Sequence, residues 1–406
     1  MTTIAAISAS PSSPFAGLHH QPGDALLSLI ASYAADPRSD KMDLGVGIYR
    51  DEQGNTPVLQ SVKLAEQQLM QEQGTKSYLG AEGNKAYVAL LGDLVFGPDM
   101  GGRPFHAALQ TPGGTGALCM GAELIVRGSP GRSIWLGEPT WPNHAPIFQK
   151  AGVPIERYDY YDVAGMTVRY DALLQAMECA QPGDIFLLHG CCHNPTGADL
   201  SPAQWQEIAG IMGARGLVPF VDLAYQGLGD GLEEDAAGVR AFLNAVPQAI
   251  VAVSCSKNFG LYRERTGALY VIADAADEAA RCLENLISLS RVFWSMPPDH
   301  GAAVVAAILA DPSLTALWQT ELADMRQRLN GLRAQLAATH PALAPLASQR
   351  GMFATLPLSP EAVGSLRERF GVYMPLSGRI NIAGLRAETV SHFAELILPL
   401  LSRRSA

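Results

Sequence analysis

Lysine is scarce in this chain: Lys41, Lys63, Lys76, Lys85, Lys150 and Lys257 are all of it in 406 residues. Chemistry that needs an amine therefore has few places to happen. Cations as a whole are outnumbered, with 29 Lys and Arg against 39 Asp and Glu and a formal net charge of −10. A polyanion is repelled on average, which argues against a general nucleic-acid or membrane-surface binder and requires any anionic ligand to be caught locally. No apolar run approaches the roughly 18 residues of a membrane span. Met1 to Gly17 lacks the basic start and apolar run of a secretory signal, so a cytoplasmic protein is expected. Cys119, Cys179, Cys191, Cys192, Cys255 and Cys282 form no C-x-x-C pair, and reduced thiols without a metal are expected. Also missing is a G-x-G-x-x-G turn after the first strand; Gly113-Gly114-Thr115-Gly116 has the wrong spacing for a dinucleotide-binding dehydrogenase.

What is present reads as an α/β chain of two or three units. After an arm to about Pro22, helical spacing is expected over Asp24–Tyr33 and a strand over Met42–Tyr49. Thr56 and Pro57 look like the cap and first turn of a helix that keeps Val58, Val62, Ala65 and Leu69 on one face, and a second helix is expected from Asn84 to Phe96. From Thr111 to Val271, short apolar runs alternate with helical stretches, the pattern of a largely parallel sheet covered on both sides. The expected strands are Ser133–Leu136, Ile185–His189, Leu217–Asp222, Ile250–Ser254 and Ala268–Ile272, although Pro219 sits awkwardly in the third. Ser201, Pro202, Gln204 and Gly216 mark both ends of a helix. Asp311-Pro312 opens a long helix with a Leu322, Met325, Leu329, Leu332, Leu336 stripe. A strand near Gly351–Leu356, a helix from Pro360, strands at Val372–Met374 and Arg379–Ile382 and a helix from about Ala387 follow. The expected division is 1–56, an arm and small-domain segment; 57–310, a large domain; and 311–406, a small α+β domain with its connecting helix.

In an open α/β sheet, ligands bind beyond the carboxyl ends of the strands. Three expected strands end on polar groups: Ile185–His189 runs on to Asn194-Pro195-Thr196-Gly197, the next ends at Asp222, and the next delivers Ser254-Cys255-Ser256-Lys257. An amide, a carboxylate and an amine so placed suit pyridoxal phosphate, which asks for a lysine at its aldehyde, a carboxylate at its pyridine nitrogen and donors at its phenolic oxygen. Asp222 would take the nitrogen; Asn194 and Tyr225 would take the oxygen. Thr111-Pro112-Gly113-Gly114-Thr115-Gly116 reads as a turn opening a helix whose free N–H groups favour a phosphate, with Arg265, Ser254 and Ser256 closing the other side. Each residue alone has a plainer use, Asn-Pro as a turn starter and a strand-end Asp as a helix cap.

These stretches, with Asp222-Leu223-Ala224-Tyr225-Gln226-Gly227 and Lys257-Asn258-Phe259-Gly260-Leu261-Tyr262-Arg263-Glu264-Arg265, closely resemble the aspartate and aromatic aminotransferase family of fold type I pyridoxal-phosphate enzymes. The likeness runs from about Asp24 to the C-terminus and adds Trp141-Pro142-Asn143-His144 and Ser377-Gly378-Arg379. It implies a large domain with a mostly parallel seven-stranded sheet, a small α+β domain, and a cofactor held as an imine on Lys257. It further implies that Trp141 stacks on the pyridine ring, that His144 and His189 stand behind Asp222, and that Gly47 offers a backbone contact to substrate. Arg379 would grip the α-carboxylate. Tyr78, reaching the phosphate, and Arg291, gripping a side-chain carboxylate, would serve the other subunit of a homodimer with shared sites. Without the family, His189 reads as a core histidine, Trp141 as packing and Arg291 as a helix-end charge.

The implied reaction moves an amino group between an amino acid and 2-oxoglutarate, with Lys257 first displaced and then carrying the α-proton. Aspartate-selective relatives usually follow the Arg291 equivalent with Asn-Tyr-Ser-Asn, where this chain has Phe293-Trp294-Ser295-Met296. The bulkier, less polar surroundings favour an aromatic or broad-range donor. Ile48, Arg50, Thr56 and Thr115 are closer to the aspartate pattern, which keeps an aspartate-selective enzyme as the alternative. A decarboxylase, or a regulator on the same fold, is more remote; no basic helix-turn-helix precedes the domain.

Overall fold

The computed structural model describes residues 15–20, 23 and 25–401. Most of the expected N-terminal arm, and Asp24 at the start of the expected helix, lie outside the described residues. A seven-stranded sheet forms the centre, its strands in chain order being β1 (His106–Pro112), β2 (Ile134–Glu138), β3 (Ile155–Asp159), β4 (Ile185–His189), β5 (Val218–Leu223), β6 (Ala249–Ser254) and β7 (Thr266–Ile272). Across the sheet the order is β1-β7-β6-β5-β4-β2-β3. All neighbours are parallel except β7, which is antiparallel to both β1 and β6. This is the mostly parallel α/β sheet that the motif pattern implies.

Helices cover both faces, and successive residues feed opposite cores. Phe186, Leu188, Val221, Val251 and Val253 belong to one hydrophobic cluster, while Ile185, Leu187, Phe220, Ile250 and Ala252 belong to the other. That is why β4, β5 and β6 read as unbroken apolar runs. β1, as His-Ala-Ala-Leu-Gln-Thr-Pro, is poor in β-branched residues, and β3 is an edge strand with an exposed Glu156-Arg157 pair. Neither has the composition by which a strand is usually recognised. Pro219 is accommodated because the β5–β6 ladder begins only at Phe220, so at Pro219 the strand is paired on the β4 side alone.

The marked helix ends are where the caps place them. Ser201 and Gln204 make a reciprocal capping box for Pro202–Arg215, with Gly216 left-handed after it. The Asp311 side chain accepts from Ser313 and Leu314 at the head of Pro312–Ala338, and the whole Leu322 to Leu336 stripe is buried. Three expectations need correction. The helix expected from Thr56-Pro57 begins at Gln60, and Thr56 Oγ1 instead donates to Tyr49 O. Its first N–H groups, on Gln60 and Ser61, are capped by the distant Glu321 carboxylate at 2.6 and 3.0 Å. Of Met42–Tyr49 only Met42–Asp43 is a strand; beyond it the chain bends, and Val46 and Ile48 carbonyls are taken by Asn381 Nδ2 rather than by a neighbouring strand. The final helix begins with a 3-10 turn at Ala387–Thr389 and is α-helical only from Val390.

Met42–Asp43 pairs in parallel with Val372–Tyr373, and Phe353–Thr355 pairs with Arg379–Asn381, so the early segment packs into the C-terminal part. Among the described residues no single helix is long and apolar enough to cross a membrane, and all six cysteines are free thiols.

Candidate active site

Because β4, β5 and β6 are parallel neighbours, their carboxyl ends open side by side. A cavity of about 240 Å3 lies there, lined by Gly47, Gly114, Thr115, Leu118, Trp141, Asn194, Asp222, Ala224, Tyr225, Ser254, Ser256, Lys257, Tyr262 and Arg265. Most of the residues singled out from the sequence are thus gathered at one place. Leu118, Ala224 and Tyr262 are additions. Tyr262 is tied in by its hydroxyl, which accepts from Tyr49 N at 2.8 Å, and its position within the Lys257–Arg265 motif was the available signal.

Lys257 is the only lysine on the cavity wall, with Nζ 4.9 Å from the centre of the Tyr225 ring. Burial pushes its pKa down to about 8, against the pull of Asp222 and with help from Arg265. At pH 7 roughly a tenth of such amines are neutral, against about one in three thousand for an ordinary lysine. The amine is therefore prepared both to attack a carbonyl and to accept a proton.

Burial would raise the Asp222 pKa, yet the carboxyl is held below its usual value, chiefly by the His144 hydrogen bond and with help from the positive charge of Lys257. Hydrogen-bond direction can be read along this chain. Asn194 N–H, which can only donate, faces His189 Nδ1 at 3.5 Å. His189, whose pKa burial lowers to about 3, is neutral and so carries its proton on Nε2. Nε2–H then donates to Thr140 Oγ1 at 3.0 Å, the threonine hydroxyl to His144 Nδ1 at 2.7 Å, and His144 Nε2–H to Asp222 Oδ2 at 3.2 Å. Each link leaves Asp222 an acceptor with a carboxylate oxygen free for the cavity. Thr140 was not apparent from the sequence, since a threonine after Pro139 reads as a loop residue.

Asn194 Nδ2 lies 3.3 Å from Tyr225 Oη, while Asn194 Oδ1 is buried without a partner. The loop carrying Asn194 is fixed by Asp199, whose carboxylate accepts from Cys192 and His193 N–H at 2.7 and 2.8 Å. Burial of Asp199 pushes its pKa up to about 7. At the opposite end, the helix Gly113–Gly128 starts with no side-chain cap, which leaves its first N–H groups without side-chain partners, and Gly114 and Thr115 of its first turn line the cavity. Gly113 is left-handed at φ +72°, and a Cβ there would come within 2.6 Å of Arg265 Nη2. A glycine at this position is what lets the guanidinium lie against the helix start.

Arg379 lies across Trp141 from this cavity, in an adjoining cleft of about 580 Å3 that is also walled by Leu26, Leu29, Pro142, Met374 and Leu376. Its Nη2 donates to Gly45 O at 2.7 Å, its guanidinium sits 4.7 Å above the Phe353 ring, and its buried Nε has no partner. Gly47 is pressed to the same ring; a Cβ would reach Phe353 Cζ at 3.0 Å. Two expected site residues are elsewhere. Tyr78 is 92% exposed and Arg291 is exposed at a helix end, donating to Ser295 Oγ at 2.9 Å, and neither lines the Lys257 cavity.

The donor set fits pyridoxal phosphate. It offers one amine for the aldehyde, one ionised carboxylate, an amide and a phenol with spare hydrogen-bonding capacity, and an uncapped helix start with three hydroxyls and an arginine for the phosphate. The family model for aminotransferase class I and II matches residues 39–397. The tyrosine aminotransferase of Rhizobium meliloti is 51% identical over 94% of this chain and 98% of its own. The aspartate aminotransferase of Escherichia coli is 41% identical over 95% of this chain and all of its own. The aromatic-amino-acid aminotransferase from Burkholderia pseudomallei, solved covalently bound to pyridoxal phosphate, superposes with a TM-score of 0.92 at 40% identity, covering 96% of this chain and 100% of that one. The chain belongs to the class I and II aminotransferases and is a pyridoxal-phosphate-dependent aminotransferase acting on amino acids and 2-oxo acids.

Proposed function

We propose that this aminotransferase exchanges an amino group between aromatic, or a broad range of aromatic and dicarboxylic, L-amino acids and 2-oxoglutarate, in the cytoplasm, as a homodimer with shared sites. The observation that carries the reading is the convergence of Lys257, Asp222, Asn194, Tyr225 and Arg265 on one cavity. The segment before residue 57 would complete the small domain of 311–406, apart from the large domain of 57–310; the pairing of Met42–Asp43 with Val372–Tyr373 supports that grouping.

Pyridoxal phosphate supplies an aldehyde that receives the amine and a ring that takes up the electrons released at the substrate α-carbon. Lys257 would hold it through Nζ, and that amine, once free, would carry the proton away from the substrate α-carbon. Asp222, oriented by His144 and, through Thr140, by His189, keeps a proton on the ring nitrogen. Asn194 and Tyr225 hold the ring oxygen, and Trp141 covers the ring face. Gly113, Gly114 and Thr115 at the helix start, with Ser254, Ser256 and Arg265, hold the phosphate, joined by Tyr78 of the second subunit. Arg379 pairs with the α-carboxylate beside the Gly47 backbone, and Arg291 of the second subunit meets the far end of the substrate.

The aromatic preference is supported by the apolar cleft next to Arg379 and by Phe293 and Trp294, which stack at 5.8 Å beside Arg291. The resemblance to an aspartate aminotransferase and the Ile48, Arg50, Thr56 and Thr115 pattern support the aspartate-selective alternative. A donor screen of Asp, Phe, Tyr and Trp with 2-oxoglutarate decides. The expected kcat/KM for Phe and Tyr is within about ten-fold of that for Asp, or above it, with glutamate formed in each case. Aromatic donors slower by about a hundred-fold or more would establish the aspartate reading. Loss of carbon dioxide without glutamate would point to a decarboxylase.

A further inference from the structure

We infer that Gln110 is a positioning residue for the neighbouring subunit's site, acting through the two segments that carry Tyr78 and Arg291; this rests on the shared-site dimer proposed above. Gln110 lies in β1, three residues ahead of the Gly113 helix start, and is wholly buried. Both ends of its amide are used on segments far away in sequence. Oε1 accepts from Asn84 N at 2.8 Å, Nε2 donates to Pro298 O at 2.6 Å, and its own backbone N donates to Glu82 O at 2.9 Å.

The three segments meet with no space between them. Gly83 is left-handed at φ +79°, and a Cβ on it would come within 2.5 Å of Gln110 Oε1 and 2.8 Å of Pro297 Cγ. Two further bonds tie the outer segments directly: Ser290 Oγ donates to Ala81 O at 2.8 Å, and Leu79 N donates to Met296 Sδ at 3.0 Å. Tyr78 and Arg291 are therefore mounted on one unit whose reference point is β1. Neither faces the cavity of its own chain, so an error in that mounting is felt wherever the unit is delivered.

Gln110 thus links the phosphate-holding helix start of one site to the two side chains offered to the other. An apolar side chain in its place removes both side-chain ties, to the half-buried Asn84 N–H and to the Pro298 carbonyl, and the unit loses its fixed position on β1. Because Tyr78 and Arg291 hold cofactor and substrate rather than the reacting atoms, the loss appears in binding more than in turnover.

The test uses the full-length holoenzyme. In Gln110→Met, the KM for 2-oxoglutarate and the pyridoxal phosphate concentration that half-reactivates the apoenzyme are both expected to rise about ten-fold, with kcat within about two-fold. Hydrogen exchange should quicken in residues 78–84 and 294–296. A hybrid of one Gln110→Met chain and one Lys257→Ala chain, purified through two tags, then locates the effect. Its single lysine-bearing site lies on the Gln110→Met chain and draws Tyr78 and Arg291 from the chain with intact Gln110, so KM and half-reactivation should return to within about two-fold of native. Values that stay about ten-fold raised would show that the glutamine acts within its own chain and would overturn the inference. A control hybrid of Arg291→Ala with Lys257→Ala separates the two claims: failure to recover native KM there sinks the shared-site reading itself. Should Gln110→Met not fold, Ser290→Ala severs the Ala81 tie alone and is expected to give the same signature at about three-fold, with the same recovery in the hybrid. Unchanged KM and unchanged exchange in that variant would also overturn the inference.

Discussion

In the Lys257→Ala variant, turnover with every donor is expected to fall by about 10⁴-fold, while pyridoxal phosphate is still held by the remaining groups of the cavity. Two functions are proposed for this one Nζ, the covalent hold on the cofactor and the movement of the α-proton, and alanine would supply neither. No other lysine can take over, because Lys257 alone among the lysines lines the cavity, and Lys85, for example, opens on a separate cleft beside Glu82 and His106. The lowered pKa, about 8, is what suits the amine to both tasks near neutrality. Single-turnover mixing of the variant with excess Tyr or Asp reads the proton-transfer step free of product release. Retention of a tenth of the native rate would show that some other group moves the proton.

The second large loss is expected at Asp222. Asp222→Ala should slow both half-reactions by about 10³-fold, because a pyridine nitrogen without a facing carboxylate loses its proton and with it the ring's capacity to hold electrons. The structure places no substitute: the group behind Asp222 is His144, whose Nε2–H points towards the missing carboxylate and would oppose a protonated nitrogen. Asp222→Glu keeps the charge and should recover part of the rate. Comparing kcat of the two variants for each half-reaction checks the argument; equal rates for alanine and glutamate would remove the electrostatic explanation.

The central sheet and most of the cavity were legible because their signals are local. Apolar runs ending in Asn194, Asp222 and Lys257 announce strand ends, and Ser201, Gln204 and Asp311 announce helix starts through bonds to residues two or three positions away. What was missed depends on partners distant in sequence. The helix at Gln60 starts late because Glu321 caps it, a pairing 260 residues apart that no window contains. Thr140 earns its place only when His144 and His189 are brought to either side of it. Gln110 is an unremarked glutamine in a weak strand until Asn84 and Pro298 arrive at its two ends. The roles proposed for Tyr78 and Arg291 rest on motif likeness alone, since neither lines the Lys257 cavity of its own chain.

The most direct test of the account is to reduce the holoenzyme with borohydride, which fixes pyridoxal phosphate to whichever amine holds it, and to map the labelled peptide by mass spectrometry. The expected result is one phosphopyridoxyl group per chain, on Lys257, in the stretch Ser254-Cys255-Ser256-Lys257-Asn258. A label on Lys41, Lys63, Lys76, Lys85 or Lys150, or a cofactor released unlinked after reduction, would contradict it.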